Sequence, residues 1–370
     1  MTPRPRTLLH IFPSFQPGGV QLRFAQLANH FGPRYRHLVI ALDGAIGAKQ
    51  RLGPHVDVTF LHNPTDQKGL RSSRAVLGRL RPDLLVTSNW GSMTWSMANC
   101  VARVPHLHME DGFGLEEAEG QLRRRVWARR LALRRATITV PSRTLLHIAS
   151  NVWRLPRHAV VHIPNGVNCA RFLTDTDPQI AARYGIRKDV PIIGTVSALR
   201  SEKNLLRLLD AFSLVLSSRP AQLIIVGDGP QRQRLEHAAQ TRGLSDHTVF
   251  AGNSPSPEQL LPFLSVFSLS SDTEQMPLTV LEAMAASRPI AATDVGDIRE
   301  MVASKNQPFI VSRDARALSK AILDLLTDPE RMREIGRSNR ERAASMYDEN
   351  IMFDAYQRLF DGITTTMGPG

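Results

Sequence analysis

Unbroken apolar runs alternate along this chain with stretches in which apolar residues return every three or four positions. The runs predict strands buried on both faces, and the periodic stretches predict helices that pack along one face. In the first half, residues 7–12, 37–42, 56–61, 84–87, 104–108 and 136–140 read as strands, with a helix over 19–31. A second series opens at Pro191. There 192–196, 223–226, 248–251, 265–269 and 289–293 read as strands, and 205–216, 231–242, 257–263, 278–286 and 316–326 as helices. Further helical patterns cover 329–345 and 350–363, and 364–370 is expected to fray.

Alternation of this kind predicts mostly parallel, doubly wound sheets. At 370 residues the chain exceeds what one core supports, so two domains are expected. The predicted fold class is α/β, with two Rossmann-like doubly wound parallel-sheet domains facing a cleft. The first domain spans 1–188, including a linker from about residue 162 that is rich in Pro, Asn, Gly and Asp. The second spans 189–345, and 346–370 supplies a C-terminal helix returning to the first domain and a tail. Ligands of open α/β sheets bind outside the carboxyl ends of the strands.

Composition changes this picture little, because 42% hydrophobic and 22% charged residues are ordinary for a soluble globular protein. No apolar stretch is long enough to predict a transmembrane helix, and the start reads as a strand rather than a signal peptide. Cys100 and Cys169 are isolated and form no metal spacing, which fits a reduced, cytoplasmic setting. Charge is more telling. Residues 1–188 hold 27 Lys and Arg against 11 Asp and Glu, whereas 189–370 hold 19 against 23, within a net +12. A basic first half suits nucleic acid, an anionic membrane or a phosphorylated substrate. Compositional bias is the alternative, since only six of the cations are Lys. No recognition motif with interleaved aromatics supports nucleic acid. Over 123–135, arginines alternate with Val126, Trp127, Leu131 and Leu133. Such a basic amphipathic helix fits an anionic membrane surface or simple packing on its own sheet.

Candidate chemistry falls at the strand ends. Glu274 lies in the loop ahead of the helical pattern that opens at Pro277, and Glu282 lies one turn inside it. Free N–H groups at a helix start bind anions, so this layout suits a ligand with a central phosphate and hydroxyls on both sides, such as a nucleotide sugar. Arg200 and Lys203 occupy a strand-to-helix turn and suit a diphosphate, or merely the surface. Gly18 and Gly19 permit close approach of a ligand phosphate or form an ordinary turn, and their spacing is not that of a dinucleotide fingerprint. His108 closes a strand and precedes Glu110 and Asp111. These three suit a sugar or acceptor hydroxyl, or a structural role.

Taken together, Ile163–Pro164–Asn165–Gly166–Val167–Asn168, the 197–204 turn, Val226–Gly227–Asp228–Gly229–Pro230, and 274–285 followed by Thr293–Asp294–Val295–Gly296 resemble the family 4 glycosyltransferases of the GT-B fold. The resemblance covers most of the chain and is more specific in the second half. It implies a retaining transferase that needs no metal and no cofactor beyond its nucleotide-sugar donor, UDP- or GDP-linked. The acceptor would be a glycan or a lipid-linked hydroxyl, in cell-surface polysaccharide, lipopolysaccharide or glycolipid synthesis. Glu282 would hold the ribose and Glu274 the donor sugar. Backbone near Met276, Pro277 and Leu278 would meet the phosphate, with Gly227 also at the donor. Lys203, with Arg200, would neutralise the diphosphate. His108 would lie near the reacting carbon and Gly19 at the glycine loop, with Gly18, Glu110 and Asp111 on the acceptor side. Localisation would be cytoplasmic or peripheral at the inner membrane. Three positions depart from the family pattern: Ala198 replaces an Arg, and Gln275 and Ser287 replace glycines. Alternatives are a non-catalytic nucleotide-sugar-binding scaffold of a polysaccharide assembly, a phosphorylase or a sugar-nucleotide epimerase.

Overall fold

The computed structural model describes residues 4–62, 69–113, 115–117, 120–254 and 256–365. The tail expected to fray lies outside them beyond Thr365. The chain divides into two compact units, Met1–Asn165 with Met352–Gly370, and Gly166–Ile351.

The first unit carries β1 (Arg6–Phe12), β2 (Tyr35–Ala41), β3 (Val58–Leu61), β4 (Leu84–Ser88), β5 (His106–Met109), β6 (Thr137–Val140) and β7 (Val160–His162). They form one sheet in the order β3-β2-β1-β4-β5-β6-β7, and every pairing is parallel. The second unit carries β8 (Ile192–Val196), β9 (Gln222–Val226), β10 (Thr248–Gly252), β11 (Val266–Leu269), β12 (Ile290–Thr293) and β13 (Ile310–Val311). Their order is β10-β9-β8-β11-β12-β13, again parallel throughout. Strand order reverses between β1 and β4 and between β8 and β11. Loops diverge at such reversals and leave a crevice at the carboxyl ends.

The strands are apolar without a break because helices cover both faces. In the second unit Ile192, Ile224 and Phe267 face Val280 and Met284, while Ile193, Leu223 and Val266 face Leu208, Phe212 and Ile322. Burying one such side chain contributes about 1.5–3 kcal/mol. In the first unit, Leu8, Val86 and Leu107 pack with Met352, Phe353 and Tyr356 of the C-terminal helix Glu349–Thr365.

Three details differ from the sequence pattern. The division between the units falls after Asn165 rather than near residue 188. Val167, Phe172, Ala181 and Ile186, in the segment read as a linker, are buried in the second unit's core. The pattern over 257–263 becomes two 3-10 turns, Pro257–Gln259 and Leu261–Phe263, because prolines within it lack the N–H a continuous helix needs. β7 and β13 are too short to show as apolar runs.

Candidate functional site

Two loops at the β8/β11 reversal build a polar cluster in the second unit. After β8 the chain enters the 3-10 turn Ser201–Lys203, and Asn204 then caps the helix Leu205–Ser218 by accepting from Arg207 N–H. After β11, residues 270–277 lead to the helix Leu278–Ala285. Ser270 Oγ donates to the carbonyls of Lys203 and Asn204 at 3.1 and 3.0 Å. Asn204 Nδ2 and Arg207 Nη2 donate to Asp272 at 3.0 and 2.7 Å, and Arg207 Nη1 to Ser270 O at 2.7 Å. Each such bond contributes about 0.5–1.5 kcal/mol, more where a charge takes part. Together they hold Lys203 Nζ 2.5 Å from Glu274 Oε1, which also accepts from Ser271 Oγ at 2.7 Å. The pair is in reach of solvent, with 21% of the Lys203 side chain and 9% of Glu274 exposed. Among the described residues, Lys203 uses one of its three N–H donors.

The surroundings of that pair suit an anion. Pro277 caps the helix Leu278–Ala285 with no side-chain acceptor, and its first turn holds no acid. The N–H groups of Leu278 and Thr279 therefore present partial positive charge. Glu282 follows one turn on, partly exposed, and Met276 is buried beside the loop. Arg200 is exposed, with no side-chain partner among the described residues. Gly296 has φ +57°, and a Cβ there would lie 2.4 Å from Glu274 O, so only glycine lets the turn after β12 support the Glu274 loop. Gly227 has a parallel role, since a Cβ there would fall 1.9 Å from Ser197 O, in the turn after β8.

In the first unit, Gly18 caps the helix Gly19–Phe31 without a side-chain acceptor or an acid in the first turn. A Cβ at Gly19 would meet nothing within 4 Å, so the space beside this helix start is open. One turn on, Arg23 is buried and donates to both oxygens of Asp111, at 2.6 Å from Nη2 to Oδ2, and to Asn165 Oδ1 at 2.9 Å. Burial opposes the Arg23 charge, but Asp111 outweighs it and raises the Arg23 pKa. Asp111 N–H donates to Asn89 Oδ1 at 2.8 Å, and Asn89 holds a left-handed φ of 54° at the end of β4. Gly18, Gly19, Arg23, Asn89 and Asp111 thus gather at the carboxyl ends of β1, β4 and β5.

His108 and Glu110 turn the other way. Both side chains are fully buried. Thr87 Oγ1 lies 2.8 Å from His108 Nδ1 and also 2.8 Å from His106 Nε2. Glu110 Oε2 lies 3.6 Å from His108 Nε2 and 3.4 Å from Arg129 Nε. Arg129 also donates to both oxygens of Glu117 at 3.2 Å, with its guanidinium 4.7–5.2 Å from the rings of Trp153, Trp90 and Phe113. Burial pushes the Glu117 pKa up, yet hydrogen bonds from Arg129 and Arg125 hold it below the usual carboxylate value. The expected placement of His108 near a reacting carbon, and of Glu110 at an acceptor, therefore meets a closed interior. A carboxylate one residue past the strand end finds a buried arginine before it finds solvent.

The helix Arg123–Leu133 departs from the expected amphipathic pattern for the same reason. It buries Arg129 and leaves Trp127 and Leu131 68% and 60% exposed. The sequence pattern counts Arg129 among the basic residues of this helix and does not mark the burial of either Arg23 or Arg129. The available signal is an arginine on an otherwise apolar face: Arg23 among Val20, Phe24 and Leu27, and Arg129 with Val126 and Leu133. Among the described residues, no helix is long and apolar enough to cross a membrane, and no group of three or more His, Cys, Asp or Glu is placed to hold a metal ion.

Residues 17–171 match the model described as Glycosyltransferase Family 4, and residues 176–342 the model described as Glycosyl transferases group 1. A 2-deoxystreptamine N-acetyl-D-glucosaminyltransferase of Streptomyces fradiae is 32% identical over 216 residues, covering 56% of this chain and 51% of that protein. A GDP-mannose-dependent alpha-(1-6)-phosphatidylinositol monomannoside mannosyltransferase of Mycolicibacterium smegmatis is 31% identical over 203 residues, covering 51% of this chain and 52% of that protein. The chain thus spans about half the length of these relatives. The crystal structure of Anabaena HepE in complex with UDP and glucose superposes with a TM-score of 0.82 over 96% of this chain and 100% of HepE. At 18% identity that likeness shows the two-unit parallel α/β fold.

Proposed function

Because this chain belongs to glycosyltransferase family 4, we propose that it moves a sugar from a nucleotide-sugar donor to a hydroxyl of a glycan or lipid-linked acceptor, with retention at the sugar carbon. The observation that carries the reading is the Lys203–Glu274 pair beside the uncapped start of Leu278–Ala285. In this reading Glu282 holds the ribose and Glu274 the sugar hydroxyls. The first-turn N–H groups, Lys203 and Arg200 face the diphosphate. Charge grows on that diphosphate as the sugar bond breaks, so preplaced donors stabilise the transition state more than the bound donor. The acceptor hydroxyl attacks from the face the diphosphate leaves, and a phosphate oxygen takes its proton. Lys203 and Arg200 supply the cations for this step, so a chelator should leave turnover unchanged.

The relatives support a sugar nucleotide as donor, since one is GDP-mannose-dependent and the HepE complex contains UDP. Thermal-shift measurements with UDP-, GDP- and ADP-sugars test the assignment. One donor class should add about 2.7 kcal/mol at a hundred times its Kd. No shift with any of them overturns the reading. Burial of His108 and Glu110 favours the second reading, a non-catalytic nucleotide-sugar-binding scaffold. It predicts the same shift without release of nucleoside diphosphate in the presence of acceptor.

A further inference from the structure

At the opposite edge of the first sheet lies a cavity of about 380 Å3, within the size range of small-ligand sites. Asn99, Cys100 and Arg103 line it from the end of the helix Met93–Ala102, Arg134 and Arg135 from the end of Arg123–Leu133, and His106 from the first position of β5. These are amino ends of the strands, so the cavity is separate from the cluster around Gly19 and Asp111.

Its lining is cationic without compensation. Arg103, Arg134 and Arg135 are exposed, and none has a carboxylate partner among the described residues. No Asp or Glu lines the space. The other polar groups are satisfied internally. Asn99 exchanges hydrogen bonds of 2.8 and 2.9 Å with the Val104 backbone, and His106 Nε2 meets Thr87 at 2.8 Å. What remains for a guest is three guanidinium groups, whose planar donors match phosphate oxygens.

The helices that line the cavity also carry exposed apolar side chains. Cys100 Sγ lies 3.9 Å from the backbone carbonyl of Leu131, a residue that is 60% exposed. Trp127, one turn earlier on the same helix, and Val101, beside Cys100, are 68% and 57% exposed. Large apolar side chains are rarely grouped at a surface unless something covers them. A free phosphate would use the arginines and leave these three in water. A bilayer interface uses both, because tryptophan settles at headgroup level and leucine reaches the acyl boundary. We propose that Arg103, Arg134 and Arg135 form a pocket for the phosphate headgroup of an anionic phospholipid, with Val101, Trp127 and Leu131 dipping into the bilayer around it. This site holds the chain at a membrane surface and stands independently of the glycosyl-transfer reading.

Vesicle flotation of the full chain tests it, using phosphatidylcholine alone and phosphatidylcholine mixed with phosphatidylglycerol. The wild type should float with the mixed vesicles only. Arginine contacts at an anionic surface are each worth about fivefold in partitioning, so Arg103→Gln/Arg134→Gln/Arg135→Gln should weaken binding about a hundredfold. Trp127→Ser/Leu131→Ser should weaken it with every cation retained. Arg71→Gln/Arg74→Gln/Arg79→Gln removes the same charge from another exposed face of this unit and should cost far less. Far-ultraviolet circular dichroism verifies the fold of each variant. The proposal is overturned if wild type shows no preference for anionic vesicles, if the cavity variant floats like wild type, or if the control loses as much. Inorganic phosphate that stabilises wild type but not the cavity variant, without flotation, would make this a free-phosphate site and overturn the lipid assignment. Donor-induced thermal shifts of the cavity variant should match wild type, so failure here is separable from failure of the donor assignment.

Discussion

The two units treat charge at the ends of their strands in opposite ways. In the second unit, Lys203 and Glu274 pair at 2.5 Å but stay at the surface, next to a helix start that no side chain caps. In the first unit, Glu110, Glu117 and Arg129 pair inside a box of three aromatic rings, with their side chains fully buried. Both clusters follow parallel strands, and both look alike as letters. The difference lies in what the neighbouring segments bring. Serines, a proline and Gly296 surround Glu274 and leave the pair in reach of solvent. Trp90, Phe113 and Trp153 surround Arg129 and fill the space. A charge at the carboxyl end of a strand stays in reach of solvent here where its neighbours are small.

This contrast predicts different failures on mutation. Arg129→Ala should destabilise the first unit by about 3–5 kcal/mol, because it strands Glu110 and Glu117 without their cation. All four tryptophans, Trp90, Trp95, Trp127 and Trp153, lie in that unit, so their fluorescence reports its melting. A fluorescence transition unchanged from wild type would remove the contrast at its buried end. Lys203→Ala should instead leave the fold intact and cut turnover about a hundredfold or more. A folded variant with full turnover would show that the exposed pair is only surface charge.

Acid should sharpen the same comparison. Burial lowers the His37 pKa to about 4, and burial with neighbouring His108 lowers that of His106 to about 3. Unfolded, each binds a proton near pH 6.5, as histidine does in model peptides. Between pH 7 and 5 the unfolded chain therefore takes up protons that the folded chain refuses. Stability falls over this interval by about 2 kcal/mol for each residue, and it goes on falling until the pH passes below the folded pKa values. Tryptophan-detected melting should drop over this range. A flat profile would mean that these histidines protonate in the folded state. The smallest effect concerns Ser287, which holds a left-handed φ of 58° just past Leu278–Ala285. Ser287→Gly should raise stability by about 0.5–1 kcal/mol, visible in calorimetry, because glycine adopts this helix-ending conformation without strain. Gln275, the other residue that stands where the family pattern has glycine, has no positive φ and needs no such relief.

Most of the fold was legible in the sequence. The helix over 19–31 has the predicted limits, and Leu205–Ser218 and Pro329–Met346 differ by one or two residues. Periodicity is a local property, and burial on both faces writes it plainly. The Glu274–Glu282 half of the second unit's cluster was legible for a similar reason, since strand, loop and helix start are contiguous from Ser265 to Glu282, whereas Lys203 meets Glu274 across 71 residues. The first unit's site was not. Arg23 meets Asp111 at a separation of 88 residues and Asn165 at 142. No local spacing encodes such a meeting.

The sequence by itself determined the alternation of strands and helices, the basic first half and the segments that carry the family resemblance. Those follow from side-chain hydrophobicity, charge and short-range spacing. Only the tertiary structure decided which charges stay at the surface and which are enclosed. It turned Arg129 inward and Trp127 outward on one helix, closed His108 and Glu110 off from solvent, and set Arg103 beside Arg134 and Arg135. Each depends on which distant side chains fill the space around a charge, and a buried charge persists only where those side chains neutralise it.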